Sequence, residues 1–289
     1  MKQALYVLLG SLLLISQWSC DLINPEEPIP AYLRIEPFTL STTASQGPNT
    51  ENIKQGWLFV NGEFLGAYDL PAEVPVLAVG LSSIRIEAGI HDNGISTTPD
   101  IYPFYEPYEE EAELVPGETT VLSPSTRYLS RTKFAFIEDF EDGAVEHFTE
   151  AITGGVNLEV EQDMVRSGQF AGRFSLLDSL RPIVEIATAE EFSGLQGNGV
   201  FVYLEIDYLA EAPVFWGVAG ERDAISGLER YIEPGFAPKA EWNKIYLNLS
   251  QDIFNSQLET YKIIMQALLR EEDPDSANVY LDNIKLVHF

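Results

Sequence analysis

Runs in which apolar and polar residues alternate, each closed by a turn bearing Gly, Pro or Asn, recur from residue 32 onward. This period of two constrains the fold more than any other feature. Residues two apart share one face of a strand, whereas an amphipathic helix needs apolar residues three and four apart. YLRIEPFTLSTT alternates with one proline interruption, and LSSIRIEAGI alternates throughout. Between them, GWLFVNGEFLGAYDLP reads as a hairpin turning at Asn61-Gly62, because both residues tolerate the positive φ that a two-residue turn demands. YEEEAELVPGETTVLSP adds two short strands around Pro116-Gly117. A small antiparallel β-sandwich over residues 31–123 follows. From residue 134 a second series begins with KFAFIEDFED and includes GVFVYLEIDYLA, WNKIYLNLS and ANVYLDNIKLVHF, which predicts a second sandwich over 134–289. Residues 258–270 contain enough helix formers for a helix, but YKIIMQALL in this setting predicts a strand. Residues 124–133, with Arg127, Arg131 and Lys133, predict a linker salt-bridged to acidic domain faces.

Charge excludes one class of partner. With 45 acids against 17 bases, a net charge of −28 repels nucleic acid and anionic headgroups, leaving cations, neutral glycans and basic proteins. The same excess keeps an exported protein soluble. Residues 1–19 carry Lys2, an apolar stretch too short to span a bilayer comfortably and a small-residue exit, the layout of an export signal. The chain has one cysteine, Cys20, and disulfides need two. Prolines 25, 28 and 30 predict a stiff tether over residues 20–30.

The stretch LISQWSC resembles the lipobox of Bacteroidetes-type envelope lipoproteins. That resemblance implies acylation of Cys20 by diacylglycerol, often with an amide-linked palmitate-like third chain, and an outer-membrane location on the surface or the periplasmic face. Two or three chains make such anchoring effectively permanent. Asn61, Gly62, Gly66, Gly80 and Gly117 occur in an order similar to PEGA-like domains, which are small extracytoplasmic sandwiches without catalysis. Phe140-Glu141, SGQFAGRFSL, WNKIYLNLS and VYLDNIKLV occur in the order seen in jelly-roll carbohydrate-binding modules and galactose-binding-like domains, and cover about half the chain. This resemblance implies an all-β chain, a small sandwich followed by a jelly roll, and a structural calcium between first and last strands. Glu141 and Asp282 would be the calcium carboxylates, with Asp139 or Asp142 as spares.

Sugar platforms set aromatic faces beside groups that fork onto hydroxyls. Trp57 and Trp242 read as core residues, which leaves Trp216 as the candidate contact, with Tyr203, Tyr208 and Tyr231 on neighbouring segments. His91, His147 and His288 have no zinc spacing, and no nucleophile elbow, phosphate loop or dinucleotide fingerprint occurs. Acid pairs such as Glu138-Asp139 and Glu221-Asp223 could serve glycoside hydrolysis only in the sense that any acidic chain offers pairs. The expectation is a noncatalytic envelope lipoprotein whose jelly roll binds an extracellular or envelope glycan. A structural component contacting another envelope protein is the alternative, and a glycoside hydrolase ranks last.

Overall fold

The computed structural model describes residues 27–178, 180–195, 200–222, 227–270 and 274–289. The export signal, Cys20 and the first part of the tether lie outside the described residues. The described chain is all-β with one short α-helix and a single 3-10 turn at Ala44–Gln46. Its first ten strands are β1 (Ala31–Ile35), β2 (Thr39–Ser41), β3 (Gln55–Val60), β4 (Glu63–Asp69), β5 (Ala72–Val76), β6 (Gly80–His91), β7 (Pro99–Ile101), β8 (Tyr108–Leu114), β9 (Thr119–Leu122) and β10 (Ser125–Arg127). Strands β4-β3-β6-β7 form one sheet, with β8 on the same edge of β6 as β7, and β5-β1-β9 form a second. Asn61 and Gly62, at φ 52° and 82°, make the expected hairpin turn between β3 and β4. Two ladders depart from the expected antiparallel order, since β1 runs parallel to β9 and β10 parallel to β2. The expected linker is therefore partly sheet: Ser125–Arg127 is a strand, Arg127 pairs with Glu106 at 2.7 Å, and Arg131 sits over the Phe289 ring.

The later strands are β11 (Lys133–Glu138), β12 (Glu150–Thr153), β13 (Glu159–Glu161), β14 (Ala171–Leu177), β15 (Ile183–Ala187), β16 (Phe192–Ser193), β17 (Val202–Ala210), β18 (Val214–Glu221), β19 (Leu228–Phe236), β20 (Lys239–Asn248), β21 (Thr260–Leu268) and β22 (Ser276–His288). They form two facing sheets, β13-β14-β22-β17-β20 with β11 beside β22, and β12-β15-β21-β18-β19 with β16 beside β21. Residues 260–268 are strand, as YKIIMQALL predicts. The helix α1 (Ser250–Ser256) falls just before them, where the alternation predicts no element.

The core of this second sandwich contains Leu204, Ile206, Trp216, Ile245, Leu281 and Leu286. Alternation puts the other face of the same sheet outward, yet that face is covered too. Tyr203, Tyr246 and Val287 belong to the core of the first sandwich, packed with Tyr102, Phe104, Tyr105 and Tyr128. Tyr102 meets Tyr203 edge-on at 5.3 Å and Tyr246 at 4.7 Å. Every residue of β17 is buried as a result.

Candidate functional site

Charges lie beneath these tyrosines. Glu205 on β17, Lys244 on β20 and Lys285 on β22 point out of the second sandwich and into the first, all fully or almost fully buried. The Glu205 carboxylate accepts hydrogen bonds from Tyr102 Oη at 2.7 Å and Tyr128 Oη at 2.9 Å, and pairs with Lys244 Nζ at 3.1 Å. Burial alone would raise the Glu205 pKa. Lys244, Lys285 and the two hydroxyls outweigh burial and hold it below the ordinary glutamate value. Lys244, which burial would deprotonate, is held above its ordinary value by Asp207 and Glu205. Removing one member of such a group leaves an uncompensated buried charge, a loss of about 3–5 kcal/mol.

Where the first sandwich stops covering β20, a cleft of about 420 Å³ opens. The first sandwich supplies Asn52, Lys54, His91 and Asn93 to it, and the second supplies Tyr208, Phe236, Lys239, Asn243 and Lys244. Tyr208 and Phe236, 3% and 5% exposed, stack on each other at 3.9 Å with 23° between ring planes and line one side of the cleft as part of the core. Asn243 Nδ2 donates to Tyr208 Oη at 3.1 Å, which leaves the phenol proton available as a donor. Burial raises the Tyr208 pKa, so that proton stays in place at neutral pH. Asn52 is fixed by its Nδ2 bond to the Lys244 carbonyl at 2.7 Å, and Asn93 by its Oδ1, which accepts the Asn248 N–H at 2.8 Å. A second cleft of about 410 Å³ shares Asn93 and is lined by Trp216, Glu233, Asn248, Gln251 and Asp252. Burial and neighbouring Glu233 push the Asp252 carboxyl up to about 6.

Of the sequence-predicted aromatic contacts, Tyr208 lines the first cleft and Trp216 the second. Trp216 is not an open platform. It is 2% exposed and its ring meets Phe148 and Phe236, because Trp216 takes the inward face of β18 and leaves the outer face to Phe215. Tyr231 lines neither cleft, and its hydroxyl donates to Glu229 at 2.9 Å. Tyr203 belongs to the interface. Trp57, read as core, is only half-buried and stacks on exposed Phe64, and Trp242 is half-buried as well.

Glu141 and Asp282 do converge, on one loop. Glu141 Oε1 accepts the N–H groups of Gln169 at 2.8 Å and Phe170 at 3.0 Å. Asp282 Oδ2 accepts those of Arg166 and Ser167 at 3.1 Å, and its Oδ1 that of Asn283 at 2.8 Å. Burial first, then neighbouring Asp207, pushes the Asp282 carboxyl up to about 7 against these donors. Calcium needs six to eight oxygen ligands. Here N–H donors occupy the carboxylates, and among the described residues no group of three or more acidic, His or Cys side chains is placed to hold a metal ion. This arrangement suits a pinned loop and does not suit calcium. Glu138 serves another loop, accepting the N–H groups of Glu146 and His147 at 2.8 Å, and Asp223 lies outside the described residues.

Sequence reasoning missed Asn52, Lys54, Asn93, Lys239 and Asn243. The available signal was local, the Asp92-Asn93-Gly94 turn and the amide-rich WNKIYLN, but nothing in either says that the two meet.

No protein-family model matches the chain, and no curated protein does. Solved structures do. The CBM22-2 xylan-binding domain of Paenibacillus barcinonensis Xyn10C is 15% identical, with 53% of this chain and 99% of that one covered at a TM-score of 0.40. The Caldicellulosiruptor saccharolyticus CBM27-1, solved with mannohexaose, is 17% identical, covering 52% and 95% at a TM-score of 0.35. The C-terminal family 22 module of Clostridium thermocellum Xyn10B is 14% identical, covering 53% and 92% at a TM-score of 0.36. Each is a carbohydrate-binding module to which this chain is similar over about half its length.

Proposed function

We propose that this chain is a cell-envelope lipoprotein, acylated on Cys20, that binds a glycan without catalysis in the cleft between its two sandwiches. One observation carries the binding reading: a partly open cleft sets the Tyr208–Phe236 wall beside Asn52, Asn93 and Asn243. A cleft with an apolar side and a few fixed amide and hydroxyl groups suits a sugar, apolar on its faces and polar at its rim. The lipobox-like stretch before Cys20 and the proline-bearing tether support the envelope location.

The test is an oligosaccharide panel against the full chain in detergent. Binding is expected, and Asn243→Ala or Tyr208→Phe should each weaken it about three- to tenfold, the worth of one hydrogen bond. Absence of binding across the panel, with a specific envelope protein co-purifying instead, would support the assembly role. Metabolic labelling with palmitate should mark the chain and fail on Cys20→Ser. Label that persists in that variant would end the lipoprotein reading.

A further inference from the structure

The first cleft differs in charge from the molecule around it. In a chain with 45 acids and 17 bases, its lining contains Lys54, Lys239, Lys244 and His91 and no carboxylate. Lys244 is already matched by Glu205 and Asp207. Lys54 and Lys239 are exposed, and among the described residues neither lies within ion-pairing distance of an acid. Glu51 accepts the Ile53 N–H at 2.6 Å and feels the charges of Lys54 and Lys244 without forming an ion pair with Lys54. The adjoining Trp216 cleft has the opposite sign, with Glu233 and Asp252 in its lining. A protein this acidic repels anions over most of its surface, so two exposed lysines outside any ion pair, lining a cleft without a carboxylate, favour a negative group there.

We propose that the ligand of the Tyr208 cleft is an acidic glycan, bound through the carboxylate of a hexuronic acid residue. The inference rests on the glycan reading above and adds the ligand class. Lys54 from the first sandwich and Lys239 from the second approach the carboxylate from the two sides of the cleft. The Tyr208 hydroxyl donates to a ring hydroxyl or to the carboxylate, and the asparagine amides take the remaining hydroxyls. A charged donor paired with a charged acceptor forms a stronger hydrogen bond than a neutral pair, which favours a uronate over the corresponding neutral sugar. Both sandwiches are needed, because each supplies one of the two lysines.

Calorimetric titration of the full chain in detergent tests this with three probes: oligogalacturonate, a neutral hexose oligosaccharide of equal length, and polyglutamate as a carboxylated polymer without sugar. Oligogalacturonate should bind most tightly and weaken as salt rises. Lys54→Ala and Lys239→Ala should each cost roughly two- to fivefold in affinity, the range for one exposed ion pair, while leaving the melting temperature unchanged. Lys54→Arg should restore most of the loss. Equal affinity for the neutral oligosaccharide, unmoved by either lysine substitution, overturns the acidic-glycan inference and leaves the glycan reading standing. Equal affinity for polyglutamate also overturns it, by showing charge without sugar recognition. If neither oligosaccharide binds, the glycan reading itself falls.

Discussion

Lys285 Nζ donates to the Pro48 carbonyl at 2.8 Å and faces the Tyr128 ring at 5.4 Å, with no water-facing side. Burial pushes its pKa down to about 8, and Lys244 adds to the fall, while Glu205 and Asp207 oppose it. In the unfolded chain the same group titrates near 10.4. Between these values the folded state binds fewer protons than the unfolded state, so stability from Lys285 rises with pH. It is fully present above about pH 10.4 and lost as pH falls through about 8. Urea unfolding of wild type against Lys285→Met reads this group together with its coupling to Lys244, since the titrations of groups that do not interact with Lys285 cancel in the difference. Wild type should improve relative to the variant by on the order of 2–3 kcal/mol between about pH 7.5 and 10.5. A flat difference would exclude a buried ammonium as the cause. At this scale the sequence was a poor guide, because a lysine between Ile284 and Leu286 in an alternating strand looks like a solvated residue.

Among the elements, β22 does the most to organise the second sandwich, and its central feature is a bulge. Its register against β17 shifts between Glu205 and Asp207, where Asn283 takes a φ of 50°. Asn tolerates this left-handed region better than other side-chain-bearing residues. The turn of the backbone sends Asp282 to the loop at residues 166–170 and lets Asn283 Nδ2 donate to Asp207 Oδ2 at 2.9 Å. The loop is fitted closely to its peg: Gly168 is left-handed at φ 73°, and a Cβ there would overlap the Glu141 carboxylate. Asn283→Ala removes both the tolerance of positive φ and the amide, and should destabilise the protein by about 1–3 kcal/mol in urea unfolding. A change within 0.5 kcal/mol, roughly the scatter of surface substitutions, would show that the bulge is not specified by this residue. The phrase VYLDNIKLV was legible as the most specific stretch of the chain. Its chemistry was not, because a carboxylate that meets backbone N–H groups and one that meets a cation look alike in sequence.

For the molecule as a whole, the interface makes two sandwiches into one thermodynamic unit. Cutting between them would expose Tyr102, Tyr203 and Tyr246, leave Glu205 without the Tyr102 and Tyr128 hydroxyls and leave Lys244 without the Thr50 hydroxyl at 3.4 Å. Scanning calorimetry of the full chain should show one cooperative transition, and the fragment 134–289 alone should melt at least about 10 °C lower. This is the shift that a loss of a few kcal/mol produces in a domain of this size. Two well-separated transitions in the full chain would refute the coupling. Sequence by itself determined the all-β class, many of the longer strands, the Asn61-Gly62 turn and the strand at residues 260–268, because period and turn chemistry are local properties. It also placed Tyr208 among the candidate contacts. Only the tertiary structure decided that the Glu205, Asp207, Lys244 and Lys285 face is interior, that Trp216 is core, and that Lys54 and Lys239 look into one cleft. Alternation reports which residues are polar but says nothing of what meets them, and a charged face is buried when another part of the chain brings hydroxyls and opposite charge to it.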